Sequence, residues 1–143
     1  MRYFHGSALL TLILSYFGWH YAESLTRPIV IVPDVLRFVK HHNAGIAFGI
    51  TLPEHFQSLI INLALAAVLL LVVRSNRDRV RDIGFGLIFG GGLSNVIDRA
   101  SDRIVTDFIA VGTFPVFNIP DTCITIGVIL LILEGLRRGG LKE

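Results

Sequence analysis

The stretch Phe56 to Val73, FQSLIINLALAAVLLLVV, runs for eighteen residues without a charged side chain. As a helix at 1.5 Å per residue it comes close to the roughly 30 Å hydrocarbon thickness of a bilayer. A helix that is apolar on every side belongs in the core of a large protein or in a membrane. Composition decides between them. Of 143 residues 52% are hydrophobic and 17% charged, where a soluble domain carries about a quarter charged. The apolar residues also come in long blocks instead of at helical or strand period. That pattern predicts a membrane all-α fold with a small β element.

Three more runs join the first. Tyr3 to Ala22 is uncharged, and Tyr16, Phe17, Trp19 and Tyr21 near its end look like an interfacial aromatic belt. A signal peptide is the rival for this run, with Arg2 ahead and small Ala22 behind. The run is long for a signal core, so a retained helix is the better reading. Ile83 to Ile97 is short and holds Gly84, Gly86, Gly90, Gly91 and Gly92. Each costs about 1 kcal/mol relative to Ala in a water-soluble helix, but in a membrane such residues let helices approach closely. The last run extends from about Asn118 to Leu136. The expected transmembrane helices are therefore 3–22, 56–73, 83–98 and 118–136, in a single domain over 1–143.

Arg74, Arg77, Arg79 and Arg81 form the densest positive cluster, on a short loop, and Arg137, Arg138 and Lys142 follow the last run. Both groups belong on the cytoplasmic side, which gives an N-in/C-in, four-span topology. The net charge of +2 thus sits at the ends of apolar runs. With no aromatic interleaving and no fold to present the basic residues, nucleic acid is not an expected partner. Between helices 1 and 2, Pro28 and Pro33 bracket IVIV, which reads as a strand, and Val35 to Lys40 is a second candidate. In HHNAGIAFG, Asn43 and Gly45 are turn residues and Ile46 to Phe48 return to apolar. A small extracytoplasmic β-cradle resting on membrane lipid follows. His41 and His42 have no partner at metal-ligand spacing, and Cys123 is a lone thiol in an apolar run, so no metal or cofactor is expected.

The chemistry concentrates between Gly90 and Asp121, where Asn95, Asp98, Arg99, Asp107, Asn118 and Asp121 lie at or beside apolar runs. An ionisable group at membrane depth is a functional candidate by default. Counted from Asp82, Asn95 lies roughly 20 Å up its helix; counted back from Glu134, Asp121 reaches roughly the same level. Asn118 is placed to cap the last helix, with Pro120 in the first turn. Two carboxylates close together in a low dielectric cannot both ionise. One keeps a proton while the other activates water, as in aspartic proteolysis. No serine is framed by His and Asp for a triad. Taken singly, Asp98 and Asp102 read first as a helix cap or an ion-pair partner of Arg99 or Arg103, while for Asp107 and Asp121 composition leaves cap, ion pair and catalysis evenly balanced.

Four blocks narrow this: NAGIAFG at Asn43 to Gly49, GGGLSNVIDR at Gly90 to Arg99, VTDFI at Val105 to Ile109 and FNIPD at Phe117 to Asp121. Their order and the four-span frame resemble the lipoprotein signal peptidases (signal peptidase II). The resemblance implies a four-helix inner-membrane aspartic endopeptidase, acting at the extracytoplasmic side without a cofactor and expected as a monomer. Its substrate would be a prolipoprotein carrying diacylglycerol on the lipobox cysteine, cut just before that cysteine. Carried over by position, Asp107 and Asp121 are the catalytic pair, while Asn43, Gly45, Asn95, Asp98, Arg99 and Asn118 line the substrate site. Two departures stand out. Pro120 replaces the usual Ala, and SYFGWHYAES has no aspartate at the place where the first helix usually ends with one, ahead of Ser or Thr and Lys. They motivate an alternative, a catalytically impaired paralogue that binds lipoprotein signal peptides. A small proton-coupled transporter is a further alternative.

Overall fold

Apolar runs bounded by charge give helices, and the computed structural model, which describes residues 1–45, 53–75 and 78–139, has four of them with three short strands. The order is α1 (Arg2–Ser24), β1 (Ile29–Val32), β2 (Leu36–Asn43), α2 (Glu54–Arg74), α3 (Arg79–Asp102), β3 (Val105–Val111) and α4 (Ile119–Gly139). The first three expected spans each fall within one helix, and the fourth begins one residue ahead of α4, at Asn118. The third helix is longer than the expected 83–98, because Asp78 caps it by accepting from the Val80 N–H at 2.8 Å. At its other end Arg103 adopts a left-handed φ of 68° and donates its N–H to the Arg99 carbonyl. Asp98, the last residue of the expected span, lies inside α3. Ile46 to Phe48, Arg77 and Lys142 lie outside the described residues.

Glycines set the packing. Helix α3 lies against α1 on one side and α4 on the other, while α2 packs against α3 alone among the described elements. At Gly86 a Cβ would come within 2.5 Å of the Phe4 carbonyl on α1, and at Gly91 within 2.6 Å of the Pro120 carbonyl on α4. The burial is inside out for a water-soluble protein. Thr11, Ser15, Gln57, Ser94 and Glu134 are buried, whereas Phe56, Leu63, Val73, Leu133 and Leu136 are exposed. An apolar surface of this extent fits a lipid or protein environment, not water. By length and composition, Phe56–Arg74 and Ile119–Arg138 are long and apolar enough to cross a bilayer. The other two of the four expected spans, on α1 and α3, do not reach that mark.

The sheet is antiparallel, in the order β1-β2-β3. IVIV is β1 as expected, and β2 runs past Lys40 to Asn43. The cradle is not made only between helices 1 and 2: its third strand, VTDFIAV, comes from the segment between helices 3 and 4. Phe108 on β3 packs with Ala22 and Leu25 at the end of α1, and with Phe38, Ile109 and Ile119 around them. That cluster fixes the sheet to the ends of α1 and α4. Gln57, near the start of α2, donates to the Ala44 carbonyl at 3.3 Å, just past β2.

Candidate active site

The route by which the two acids meet starts at β3. Pairing with β2 sets Asp107 opposite His41 and Val105 opposite Asn43. The other edge of β3 takes one bridge, with Phe117 and Ile109 exchanging N–H to carbonyl bonds at 3.0 and 2.8 Å. The chain then enters α4 directly. Asn118 is its N-cap, accepting the Asp121 N–H on Oδ1 at 2.8 Å, while its own N–H donates to Asp121 Oδ2 at 3.4 Å. This reciprocal capping arrangement uses Asp121 where a capping box uses Glu. Pro120 sits between them in the first turn, where no intrahelical N–H bond is lost. The replacement of Ala by Pro therefore leaves the turn intact. Asn118→Ala is expected to lower stability by about 1–2 kcal/mol, read as a drop in Tm, with Asn118→Ser recovering part of it.

From Asp121 the hydrogen bonds continue into α3. Asn95 Nδ2 donates to Asp121 Oδ1 at 3.0 Å, and Asn118 Nδ2 donates to Asn95 Oδ1 at 3.1 Å. The depth count that put Asn95 level with Asp121 corresponds to this contact. One turn on, Arg99 donates from Nη1 to the Asn95 carbonyl (3.3 Å) and from Nη2 to the Gly45 carbonyl (2.7 Å). Gly45 in turn donates its N–H to Asn43 Oδ1 at 2.8 Å, and Asn43 Nδ2 donates to Asp107 Oδ2 at 2.9 Å. Asp98 stands beside this chain, accepting the Thr106 N–H at 2.8 Å. All eight residues singled out in the sequence thus meet in one region. Both backbone groups of Gly45 are engaged within the protein, so what it offers is a seat for Arg99.

Asp107 has 0% solvent exposure. Burial pushes its carboxyl up to about 7, the Asn43 hydrogen bond works against this, and the negative charge of Asp121 adds to it. Its Oδ1, like Arg99 Nε, is buried with no hydrogen-bond partner among the described residues. Buried polar atoms are nearly always paired, so two orphans in one site mark places for an incoming molecule. Asn95, Arg99 and Asp121 also line the end of a groove of about 740 Å³ between α2, α3 and α4, whose walls are apolar, Ile60, Leu65 and Val68 among them.

Two contributors were not legible as such. Glu23, in the last turn of α1, accepts from Thr106 Oγ1 at 3.1 Å and Lys40 Nζ at 3.5 Å. Glu23 thus puts a carboxylate in the last turn of α1. Thr106 links it to Asp98 and directly precedes Asp107. The sequence signal was an acid closing an apolar run, and only the strand pairing reveals its partner.

Comparisons with known proteins identify the family. A family model described as Signal peptidase (SPase) II matches residues 8–137. The chain is 34% identical to the lipoprotein signal peptidase of Chlorobaculum tepidum, across 89% of this chain and 87% of that protein. With the lipoprotein signal peptidase of Chlorobium phaeobacteroides it shares 40% identity, across 73% and 71% respectively. A solved structure described as a bacterial membrane enzyme, determined by the in meso method at 2.3 Å resolution, is 28% identical and superposes with a TM-score of 0.84, covering 96% of this chain and 92% of that one. The match begins in α1, passes through both acids and ends in α4, and on that extent the chain belongs to the signal peptidase II family.

Proposed function

We propose that the protein is an intramembrane aspartic endopeptidase that removes the signal peptide from diacylglyceryl-modified prolipoproteins, cutting before the lipidated cysteine. The reading places one domain, 1–143, in a bacterial inner membrane as a monomer with four N-in/C-in spans and the site at the extracytoplasmic side. The observation that carries it is the Asp107 carboxyl, fully buried, held near neutrality and electrostatically coupled to Asp121. A pair sharing one proton is what uncatalysed water needs to become a nucleophile at a peptide carbonyl.

In this mechanism the signal peptide lies in the groove between α2, α3 and α4. Asp121 accepts a proton from water as the water oxygen attacks the scissile carbonyl carbon. Asp107 donates its proton to the carbonyl oxygen, giving a neutral tetrahedral diol. Collapse breaks the C–N bond: the carboxyl end of the signal peptide forms as Asp107 recovers its proton, and the proton held by Asp121 passes to the cysteine nitrogen. Asn43, Asn95 and Asn118 fix the carboxyl orientations, and Arg99 keeps the net charge of the acid cluster down. Gly45 holds Arg99, and Asp98 holds β3 through Thr106.

The test is purified full-length protein with a synthetic diacylglyceryl lipobox peptide, with products identified by mass. Cleavage before the lipidated cysteine is expected; binding without cleavage overturns the reading in favour of the impaired paralogue. The pH dependence follows from the sign of the Asp107 shift. Below about 7 the carboxyl is protonated and can donate; above it, the site holds two carboxylates and no proton. The rate is expected to fall by about tenfold per pH unit on the alkaline side. A rate flat from pH 6 to 9 contradicts the shared proton.

A further inference from the structure

A second cavity lies on the other flank of the Asn118–Asp121 turn. It measures about 490 Å³, opens to the surface, and is bounded by α1, α3, β3 and the first turn of α4. Its size falls in the range of roughly 300–1,000 Å³ usual for small-molecule sites. None of its lining residues lines the groove described above. Asn118, which lines this cavity, donates to Asn95, which lines that groove, at 3.1 Å.

Ser15 sets the polarity of the cavity. Thr11, Ser94, Thr122 and Thr125 each donate their hydroxyl to the carbonyl four residues earlier in their own helix. Ser15 does not. It is 7% exposed, it lines the cavity, and its buried Oγ has no partner among the described residues. An unpaired hydroxyl in a low-dielectric setting is costly, and an acceptor brought by a ligand relieves the cost. No Lys or Arg lines the cavity, and Asp98 does, so a phosphate is disfavoured and a neutral carbonyl oxygen fits. Beside Ser15 the wall is apolar, made by Leu12, Tyr16 and Trp19.

Resting on the peptidase reading, we propose that this cavity receives one acyl ester of the substrate's diacylglyceryl group. The ester carbonyl accepts from Ser15 Oγ, and the chain lies against Leu12, Tyr16 and Trp19 instead of remaining in bulk lipid. Lipid recognition and peptide recognition then occupy opposite flanks of the α4 N-terminus.

Trp19 is the single tryptophan of the chain, which makes occupancy measurable without turnover. The full-length protein in dioleoylphosphatidylcholine vesicles is titrated with a diacylglyceryl lipobox peptide that has brominated acyl chains and a reduced CH₂–NH bond at the scissile position. Saturable quenching of Trp19 is expected, with Ser15→Phe abolishing it and Ser15→Ala weakening the apparent Kd by about tenfold, the cost of one buried hydrogen bond. The proposal is overturned if the lipopeptide quenches no more than brominated phosphatidylcholine at the same mole fraction, since bulk lipid then supplies the chain. It is also overturned if saturation is unchanged in both variants. Should Ser15→Phe not fold, the unaltered chain and Ser15→Ala still decide. Saturable quenching without cleavage of the ordinary amide peptide removes the peptidase reading and leaves the pocket; cleavage without saturable quenching does the reverse.

Discussion

Asp107→Asn and Asp121→Asn are each expected to lower kcat/KM for the lipidated lipobox peptide by about 10³-fold, in the range for loss of a positioned acid or base. The double variant should fare little worse than either single one, because groups that act as a unit are not additive. Asp107→Asn carries a second, opposite signature. Its carboxyl goes from an ordinary 3.8 to about 7 in the folded protein. A group raised in this way favours folding fully below about 3.8, and the contribution is lost as pH rises to about 7, where the buried carboxylate finally forms. Asn never ionises, and it can keep the Asn43 contact while its amide occupies the place of the unpartnered Oδ1. The variant should therefore gain thermal stability over the parent as pH rises through that window, by at most about 4 kcal/mol, with no gain at pH 3.5. Denaturation curves at pH 3.5, 6 and 8 check this. Equal stability at all three contradicts a strained buried carboxyl, and full activity in either Asn variant removes that acid from the chemistry.

Gly91→Ala is the second large effect. A Cβ there meets the Pro120 carbonyl at 2.6 Å and Ile124 Cγ1 at 2.7 Å. The carbonyl is backbone in the turn that holds Asp121, so it cannot rotate aside. The helices must separate, at a cost of about 1–3 kcal/mol. Because Asn95 lies one turn beyond Gly91 and bonds Asp121, the separation is passed to the acids. A displacement near 1 Å is enough for about 10²-fold in rate. Gly135→Ala on α4 is the control, with nothing within 4 Å of the new Cβ, and it should be neutral or stabilising by up to about 1 kcal/mol. If Gly91→Ala behaves like Gly135→Ala in both Tm and rate, the close approach is not what positions the site.

Local pattern carried the helices and little of the connections. The four apolar runs announced α1 to α4, but their ends were short wherever charge begins, as at Arg79, Asp98 and Arg99 in α3. The strand VTDFIAV was hidden because it is buried on nearly every residue, so it shows no alternation of apolar and polar side chains. IVIV was legible through its flanking prolines. Counting helical rise put Asn95 and Asp121 at one level, since depth along a straight helix needs no tertiary information. The reach of Arg99 to the Gly45 carbonyl and of Glu23 to Thr106 does need it: each spans more than fifty positions, and no local pattern encodes it. The residues alone left each acid open between cap, ion pair and catalyst. The ordered motif blocks separated Asp107 and Asp121 from the others.

Asp107 is carried by a strand, not a helix, and that strand is pinned on one edge by β2 and on the other by a single bridge to Phe117. The acid is therefore fastened to the same ribbon whose outer member, β1, turns four aliphatic side chains outward. Tilting the ribbon moves Asp107 relative to Asp121, which is anchored in α4. On the proposed mechanism the alignment of the two acids depends on where the ribbon sits, so a compound that wedges beneath it is expected to lower cleavage without touching either carboxylate.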